Sequence, residues 1–300
     1  MLPEDVLECY RKAGEITAEI RQLSLRIVRE GMPILAVCEK LEKAIANRGV
    51  KPAFPVNVGI NEVAAHYTSP FDDSNVVPPQ SIVKIDFGVH VNGFIADSAI
   101  TLSFNPEYHP MVSSAEHALK EAIENMRPGV RVSEIGGIIQ RAISARGFKP
   151  ISNLTGHKVE RYVLHTGKSL PNVPEIDGER IAVDEVFAIE PFVTVSTGEG
   201  RVESLDKGHI FRFNREKGLK TQRAREILRL IREEYRTLPF ALRWLKARFQ
   251  GGDLDAVFQE LISSRCVVSY PILVEASSKP VAQAEHTVVI TEKGCEVLTA

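Results

Sequence analysis

The chain has 300 residues, 44% hydrophobic and 25% charged, an ordinary globular composition with room for one large domain or two smaller ones. Its formal net charge of -2 argues against a protein built to coat nucleic acid or an anionic membrane, so neither DNA nor a membrane is an expected partner. The first thirty residues carry acids and bases throughout, and no stretch reaches the roughly 18 apolar residues of a membrane span, so a cytoplasmic location is expected.

Apolar residues recur at helical spacing over 3–29 and 33–47, with proline at each first turn and Gly31 and Gly49 as stops. Strand signals follow at 54–60, 82–91 and 94–103. A second helical pair is expected at 110–126 and 133–146, ended by Gly147. Further strands are expected at 183–195 and 281–291, which makes the architecture α+β. Between these two, residues 204–270 read as an inserted helical subdomain, with helical patterns at 221–236, 238–249 and 253–263. Residues 1–203 and 271–300 form the host. From Arg212 to Arg248 the insert holds twelve Lys or Arg and four Asp or Glu, an excess of 12 − 4 = +8 that leaves the rest near -2 − 8 = -10. A solvated helix face is the preferred reading, with weak docking to ribosomal RNA or an acidic partner as the alternative. Cys9, Cys38, Cys266 and Cys295 lie far apart with no CxxC pair and read as reduced thiols.

The two helical pairs resemble each other at an offset of 98 residues. Arg29, Gly31, Ala44, Ile45, Arg48, Gly49, Lys51 and Pro52 match Arg127, Gly129, Ala142, Ile143, Arg146, Gly147, Lys149 and Pro150. An internal duplication of this kind predicts two similar halves with a cleft on the pseudo-axis between them.

Within KIDFGVHVNGFIADSAITL, Asn92-Gly93 separates two apolar runs and is the strongest short signal for a two-residue type I′ turn. Counting back from it pairs Val91 with Phe94 and Gly88 with Asp97. Asp86 and Asp97 then project from one face as diagonal neighbours, about 7 Å or less apart at Cβ. Two like charges so placed require a cation or a raised pKa. Glu190, after VFAI, and Glu285, before a β-branched run, read as inward carboxylates on buried strands, each alone also compatible with a structural ion pair. Gln283 shares a face with Glu285, and Phe192 with Glu190. His157 in NLTGHKVERY is the best imidazole candidate. His66 and His165 sit among small or apolar residues, where a satisfied core histidine is the alternative. Four carboxylates and one imidazole suit Mn, Fe, Co or Zn over Ca.

At FPVNVGINEVAAHYT, KIDFGVHVNGFIADSAITL, NLTGHKVERYVLHTGKSLP, FAIEPF and AQAEHT the sequence resembles the methionine aminopeptidases of type 2, in an archaeal-like form and over nearly the whole chain. That resemblance implies the pita-bread fold, with pseudo-two-fold halves and a type 2 helical insert. It implies removal of the N-terminal methionine from nascent proteins and peptides, before a small second residue, by a monomeric enzyme with two divalent metal ions (Co, Mn, Fe or Zn). By motif, Asp86, Asp97, His157, Glu190 and Glu285 would hold the metals. Glu190 would be the general base, and His66 and His165 would bind and polarise the substrate. Phe54, Ile60, Leu164, Phe192 and Tyr270 would line the methionine pocket. One departure is visible: His66-Tyr67-Thr68-Ser69-Pro70 has one residue more before the proline than the family's usual HYTP. Rival readings are a proline-specific or creatinase-like enzyme of the same fold and a metal-free relative that contacts RNA or ribosomes.

Overall fold

The computed structural model describes residues 2–176, 178–205, 208–249 and 254–300. Helices α1 (Glu4–Ile27) and α2 (Ile34–Ala46) precede the short strands β1 (Lys51–Pro52), β2 (Asn57–Ile60) and β3 (Val63–Ala65) and the long hairpin β4 (Ile82–Val91) and β5 (Phe94–Ser103). A second helical pair, α3 (His109–Asn125) and α4 (Val132–Ser144), precedes β6 (Phe148–Pro150), β7 (Thr155–Val159), β8 (Ser169–Pro171), β9 (Val186–Ile189) and β10 (Phe192–Val195). Next come β11 (Val202–Ser204), β12 (Ile210–Phe213), α5 (Gln222–Tyr235), β13 (Phe240–Ala241), α6 (Leu242–Lys246), α7 (Leu254–Ser263) and β14 (Val267–Tyr270). The chain closes with β15 (Leu273–Glu275), β16 (Val281–Gln283), β17 (His286–Ile290) and β18 (Cys295–Val297).

The repeat read from the sequence runs through these elements. Helices α2 and α4 are both 13 residues long, and the second begins and ends 98 residues after the first. In the first half Pro52 faces Val89 and Asn57 faces Asp86, so the β1–β2 side carries two more residues than β4 between its two paired segments. In the second half Pro150 faces Val193 and His157 faces Ala188, with the same two-residue excess. The hairpin β4–β5 is likewise matched by β9–β10 lying against β16–β17. Gly88 opposite Asp97 corresponds to Phe192 opposite Gln283, and one residue beyond the His286–Ile189 pair sets Glu190 opposite Glu285. These are two halves related by an approximate two-fold.

Each half has its own core beneath its helices. Ile16, Ile20, Leu41 and Ile45 pack on Val58, Ile85 and Phe87 in the first, and Ala115, Leu119, Ile135 and Ile139 pack on Phe187, Ile189 and Val288 in the second. The sequence put a single strand at 183–195, but it is broken at Glu190-Pro191, because proline has no N–H for the ladder. The strand expected over 281–291 is broken at Ala284-Glu285, where the Glu285 amide donates to the Ala99 carbonyl of the other half at 3.1 Å.

The halves are joined along a seam of hydroxyls. Thr287 Oγ1 accepts from the Asp97 amide at 2.7 Å and donates to the Asp97 carbonyl at 2.8 Å. Ser98 Oγ donates to the Glu285 carbonyl at 2.9 Å, and Thr101 Oγ1 to the Gln283 carbonyl at 2.6 Å. Side chains that bond backbone across the interface fix β5 against β16 and β17 where no regular ladder joins them.

The segment from Phe211 to Val267 gathers a third core, including Ile227, Phe240, Leu245 and Phe258, with Phe211 and Phe258 edge to face at 4.7 Å. Helices α5 and α7 fall where helices were expected, although Asp253, the expected start of the third, lies outside the described residues. The helix expected over 238–249 shrinks to α6, because Phe240 and Ala241 are drawn into β13 against β12. It is not purely helical: β12 pairs with both β13 and β14 in a small sheet. Its arginines are partly matched by acids, Arg232 with Glu216 at 2.7 Å and Arg223 with Glu226 at 3.4 Å.

Candidate metal centre

Asp86 and Asp97 sit on the hairpin in the predicted register, Val91 facing Phe94 and Gly88 facing Asp97. His157 comes from β7, Glu190 from the break after β9, and Glu285 from the break before β17. All five line one cavity of about 190 Å³ between the halves. His157 Nε2 lies 3.6 Å from Asp97 Oδ2 and 3.4 Å from Glu190 Oε1. Asp97, His157 and Glu285 each offer one ligand atom, and the three atoms lie within 4.8 Å of one another.

Electrostatics set this cluster apart from an ordinary ion-pair network. Burial pushes the Asp86 carboxyl up to about 7. Burial, with Asp86 beside it, holds Asp97 well above the carboxylate range. Glu190 and Glu285 are raised by burial and then by their acidic neighbours. His157 is driven well below its usual value, first by burial and then by His165, so its imidazole is neutral and its short contacts to the acids are not ion pairs. Neutral imidazole with deprotonated carboxylates is the state that ligates metal.

Asp86 Oδ1 and Asp97 Oδ1 are buried without a hydrogen-bond partner, against the rule that buried polar atoms are satisfied. Four carboxylates balance two divalent cations in charge, and hard oxygens with one nitrogen fit such ions by chemistry. The donor set therefore fits the metals that the resemblance implied.

Gln283, opposite Phe192 in the ladder, donates Nε2 to Glu190 Oε2 and to Glu285 Oε2, both at 3.4 Å. Asn172 Nδ2 donates to the Glu190 carbonyl at 3.3 Å and to the Leu154 carbonyl at 2.8 Å, bracing the broken strand from behind. These amides orient the glutamates from outside the donor set.

His66 and His165 line the same cavity. His66 Nδ1 donates to the Pro271 carbonyl at 3.1 Å, which fixes the tautomer and leaves Nε2 with its lone pair. Burial lowers its pKa, so it stays neutral. The His165 ring lies 4.3 Å from that of His157 at 62°. More than a third of its surface is open to solvent where the cavity meets water, yet crowding by the site, followed by His66 and Arg212, lowers its pKa too.

Phe54, Leu164, Phe192 and Tyr270 line the cavity, but Ile60 does not. On β2 it shares a face with Val58, and both pack into the helix-covered core of the first half, whereas Asn57 turns to the cavity. Sequence reasoning missed Asn57, Asn153, Thr155, Ile210 and Pro239, which also line it. The first was readable in principle, because it faces Asp86 in the ladder. Ile210 and Pro239 come from the insert and carried no local signal.

Residues 8–292 match the model of metallopeptidase family M24. The chain is 45% identical to a methionine aminopeptidase of Methanothermobacter thermautotrophicus, covering 98% of this chain and 99% of that one. It is 40% identical to one of Methanocaldococcus jannaschii, again over 98% and 99%. Among solved structures, a thermophilic Arx1 superposes with a TM-score of 0.84 at 18% identity, over 99% of this chain and 91% of that one. The methionine aminopeptidase of Thermotoga maritima gives 0.71 at 22%, over 99% and 97%, and the prolidase of Pyrococcus furiosus 0.65 at 17%, over 99% and 64%. The solved structures establish the fold, which is the pita-bread fold. Matched nearly end to end by its relatives, and by the family model across all five candidate ligands, the chain belongs to metallopeptidase family M24, among the methionine aminopeptidases.

Proposed function

We propose that this protein removes the N-terminal methionine from nascent proteins and peptides, hydrolysing the first peptide bond and preferring a small second residue. The observation that carries the reading is the meeting of a hard, acidic donor cluster with apolar walls in one cavity. Asp86, Asp97, His157, Glu190 and Glu285 would hold two divalent ions, with Co, Mn, Fe and Zn as candidates. When bound, such ions supply an activated water and a polarised scissile carbonyl.

The chain's own groups account for the rest. Glu190, its Oε2 held by Gln283, takes the proton of the attacking water and passes it to the leaving amine. His66, with Nδ1 on Pro271, presents Nε2 as an acceptor for a substrate peptide N–H. His165, neutral beside His157, steadies the peptide beyond the scissile bond. Phe54, Leu164, Phe192 and Tyr270 take the unbranched thioether side chain, which suits a mixed aromatic and aliphatic wall.

Residues 1–203 and 271–300 form the host in this reading and 204–270 the insert, which has its own core. The host boundary falls within β11, whose last residue, Ser204, still pairs with β15. Among the described residues no helix is long and apolar enough to cross a membrane. A monomer working in the cytoplasm on peptide N-termini is the reading that follows. The basic insert face serves chiefly as solvated surface, with weak ribosome contact as the finer proposal. Grouped replacement of its free basic residues without loss of ribosome association removes that contact.

The test is to assay the purified protein on Met-Ala, Met-Gly and X-Pro peptides with Fe, Mn, Co and Zn in turn. Methionine release from the first two, abolished by metal removal, is expected. Cleavage of X-Pro peptides alone would move the chain to the proline-specific branch, and full activity without metal would end the mechanism.

A further inference from the structure

Besides placing Ile210 and Pro239 on the cavity wall, the insert grips the loop after β3 through a buried cation. Arg243, on the short helix α6, is only 5% exposed, and a buried guanidinium needs partners; its Nε has none, so the two Nη groups carry the pairing. Its Nη1 donates to Thr68 Oγ1 at 2.7 Å and to the Ser69 carbonyl at 3.0 Å. Its Nη2 donates to Glu42 Oε1 on α2, and the neighbouring Trp244 donates Nε1 to Glu42 Oε2 at 2.8 Å. Glu42 also accepts the Val56 amide at 3.1 Å, and Thr68 Oγ1 donates to the Val56 carbonyl at 2.7 Å. Four segments meet at this ion pair: α2, the stretch between β1 and β2, the loop after β3, and the insert.

The loop after β3 is the one that carries His66. His66 has φ of 65°, a left-handed conformation that a residue with a Cβ adopts only when its surroundings over-determine it. Two sets of contacts hold it, one from Pro271 just beyond the insert and one from Arg243 within it. Its ring is bonded to Pro271, next to the end of β14, and two and three residues further on Thr68 and Ser69 are held by Arg243. Ser69 belongs to the same loop. It is fully buried, with its carbonyl on Arg243 and its hydroxyl donating to Asp73 Oδ2 at 2.6 Å. The loop is therefore packed against the insert.

We infer that Arg243, paired with Glu42, is a positioning residue that holds the His66 loop in its working conformation, so that the insert sets the geometry of the substrate-facing layer. The inference rests on the reading of His66 as a residue that contacts substrate.

The chain has one tryptophan, so Trp244 reports on this junction by itself. The full-length, metal-loaded protein is compared with Arg243→Lys and with the double variant Arg243→Met/Glu42→Gln, which avoids stranding a lone buried charge. Thermal unfolding, metal content, Trp244 emission, and kcat and KM on a Met-Ala peptide are measured. Both variants are expected to fold and keep their metal, with shifted Trp244 emission. Turnover should fall about 10- to 100-fold in the double variant, the scale of a misplaced group, and less in Arg243→Lys. In a His66→Ala background the same substitutions should cost less than about twofold more, because the group they position is gone.

A full loss that persists in the His66→Ala background overturns the inference, as does parent-like turnover with shifted Trp244 emission. If the double variant does not fold, Arg243→Lys alone decides by the same cycle. Unchanged turnover in His66→Ala alone refutes the reading of His66 itself, a separate failure that takes the inference with it.

Discussion

In the first half an unbroken hairpin carries Asp86 and Asp97 on a diagonal, whereas in the second a strand pair broken at Pro191 carries Glu190 and Glu285 face to face. The registers correspond residue for residue, but the chemistry does not. Where the first half has Asp97, the second has Gln283, and where the first has Gly88, the second has Phe192. Duplication thus provided a symmetric frame, and the side chains divided the work within it. A fifth acid at position 283 would add repulsion to a cluster already short of counter-charge; an amide instead donates to both glutamates. Breaking the second pair also takes the Glu190 carbonyl out of the ladder, where Asn172 Nδ2 donates to it instead.

The largest expected effect tests that division directly. Glu190→Gln should lower kcat by about 10²- to 10⁴-fold, the usual weight of a general base. Asp86→Asn, at the corresponding place in the first half, should act mainly by lowering metal content. Equal loss of turnover in Asp86→Asn with full metal content would erase the distinction between the halves.

Metal removal is the next test. The folded protein disfavours ionised Asp86, whose pKa rises to about 7, so without a cation stability should fall as pH climbs from the ordinary carboxylate range through neutrality. Cations reverse the sign, because they favour the ionised form. Chelation should therefore lower the melting temperature more at about pH 8 than at about pH 5. An equal drop at both would show that these acids are not the groups that pair with metal.

Gln283→Leu should lower metal affinity or turnover by about 10- to 100-fold, as loss of an outer hydrogen-bond partner does. Titration with metal and peptide kinetics separate the two, and a silent variant would remove the amide from the account.

Gly88→Ala should have the smallest effect. A Cβ there would lie 2.5 Å from Phe54 Cε1, so the Phe54 ring, one wall of the cavity, must shift. A stability loss of about 1–3 kcal/mol, from overpacking, with a raised KM for Met-Ala is expected. An unchanged KM would place that wall away from the bound methionine.

Much of the frame was legible because its signals are local. Asn92-Gly93 set the hairpin register to the residue, and helix stops at Gly49 and Gly147 exposed the 98-residue repeat. The five candidate ligands stood out because acids in apolar runs are costly unless paired. What stayed hidden depends on distant partners. The insert's sheet joins Ile210–Phe213 to Val267–Tyr270, and no period within either segment announces the other. Ile60 was misplaced because a family position says nothing about which face of β2 turns inward. Arg243 reads in sequence as one more basic residue of a charged stretch; only packing reveals that it is buried.

The hydroxyl seam has a consequence for how the molecule is made. Asp97 and the Thr287 that braces it lie 190 residues apart, and Ser98 and Glu285 lie 187 apart. Contacts so remote in the chain close slowly, while the hairpin and the helical pairs can form as soon as they are synthesised. Throughout translation of the insert, Asp86 and Asp97 therefore belong to a half-built site, solvated and without Glu285. In the proposed reading the metals await the segment that carries Glu285, just before β17, so that assembly of the centre is a late step of folding.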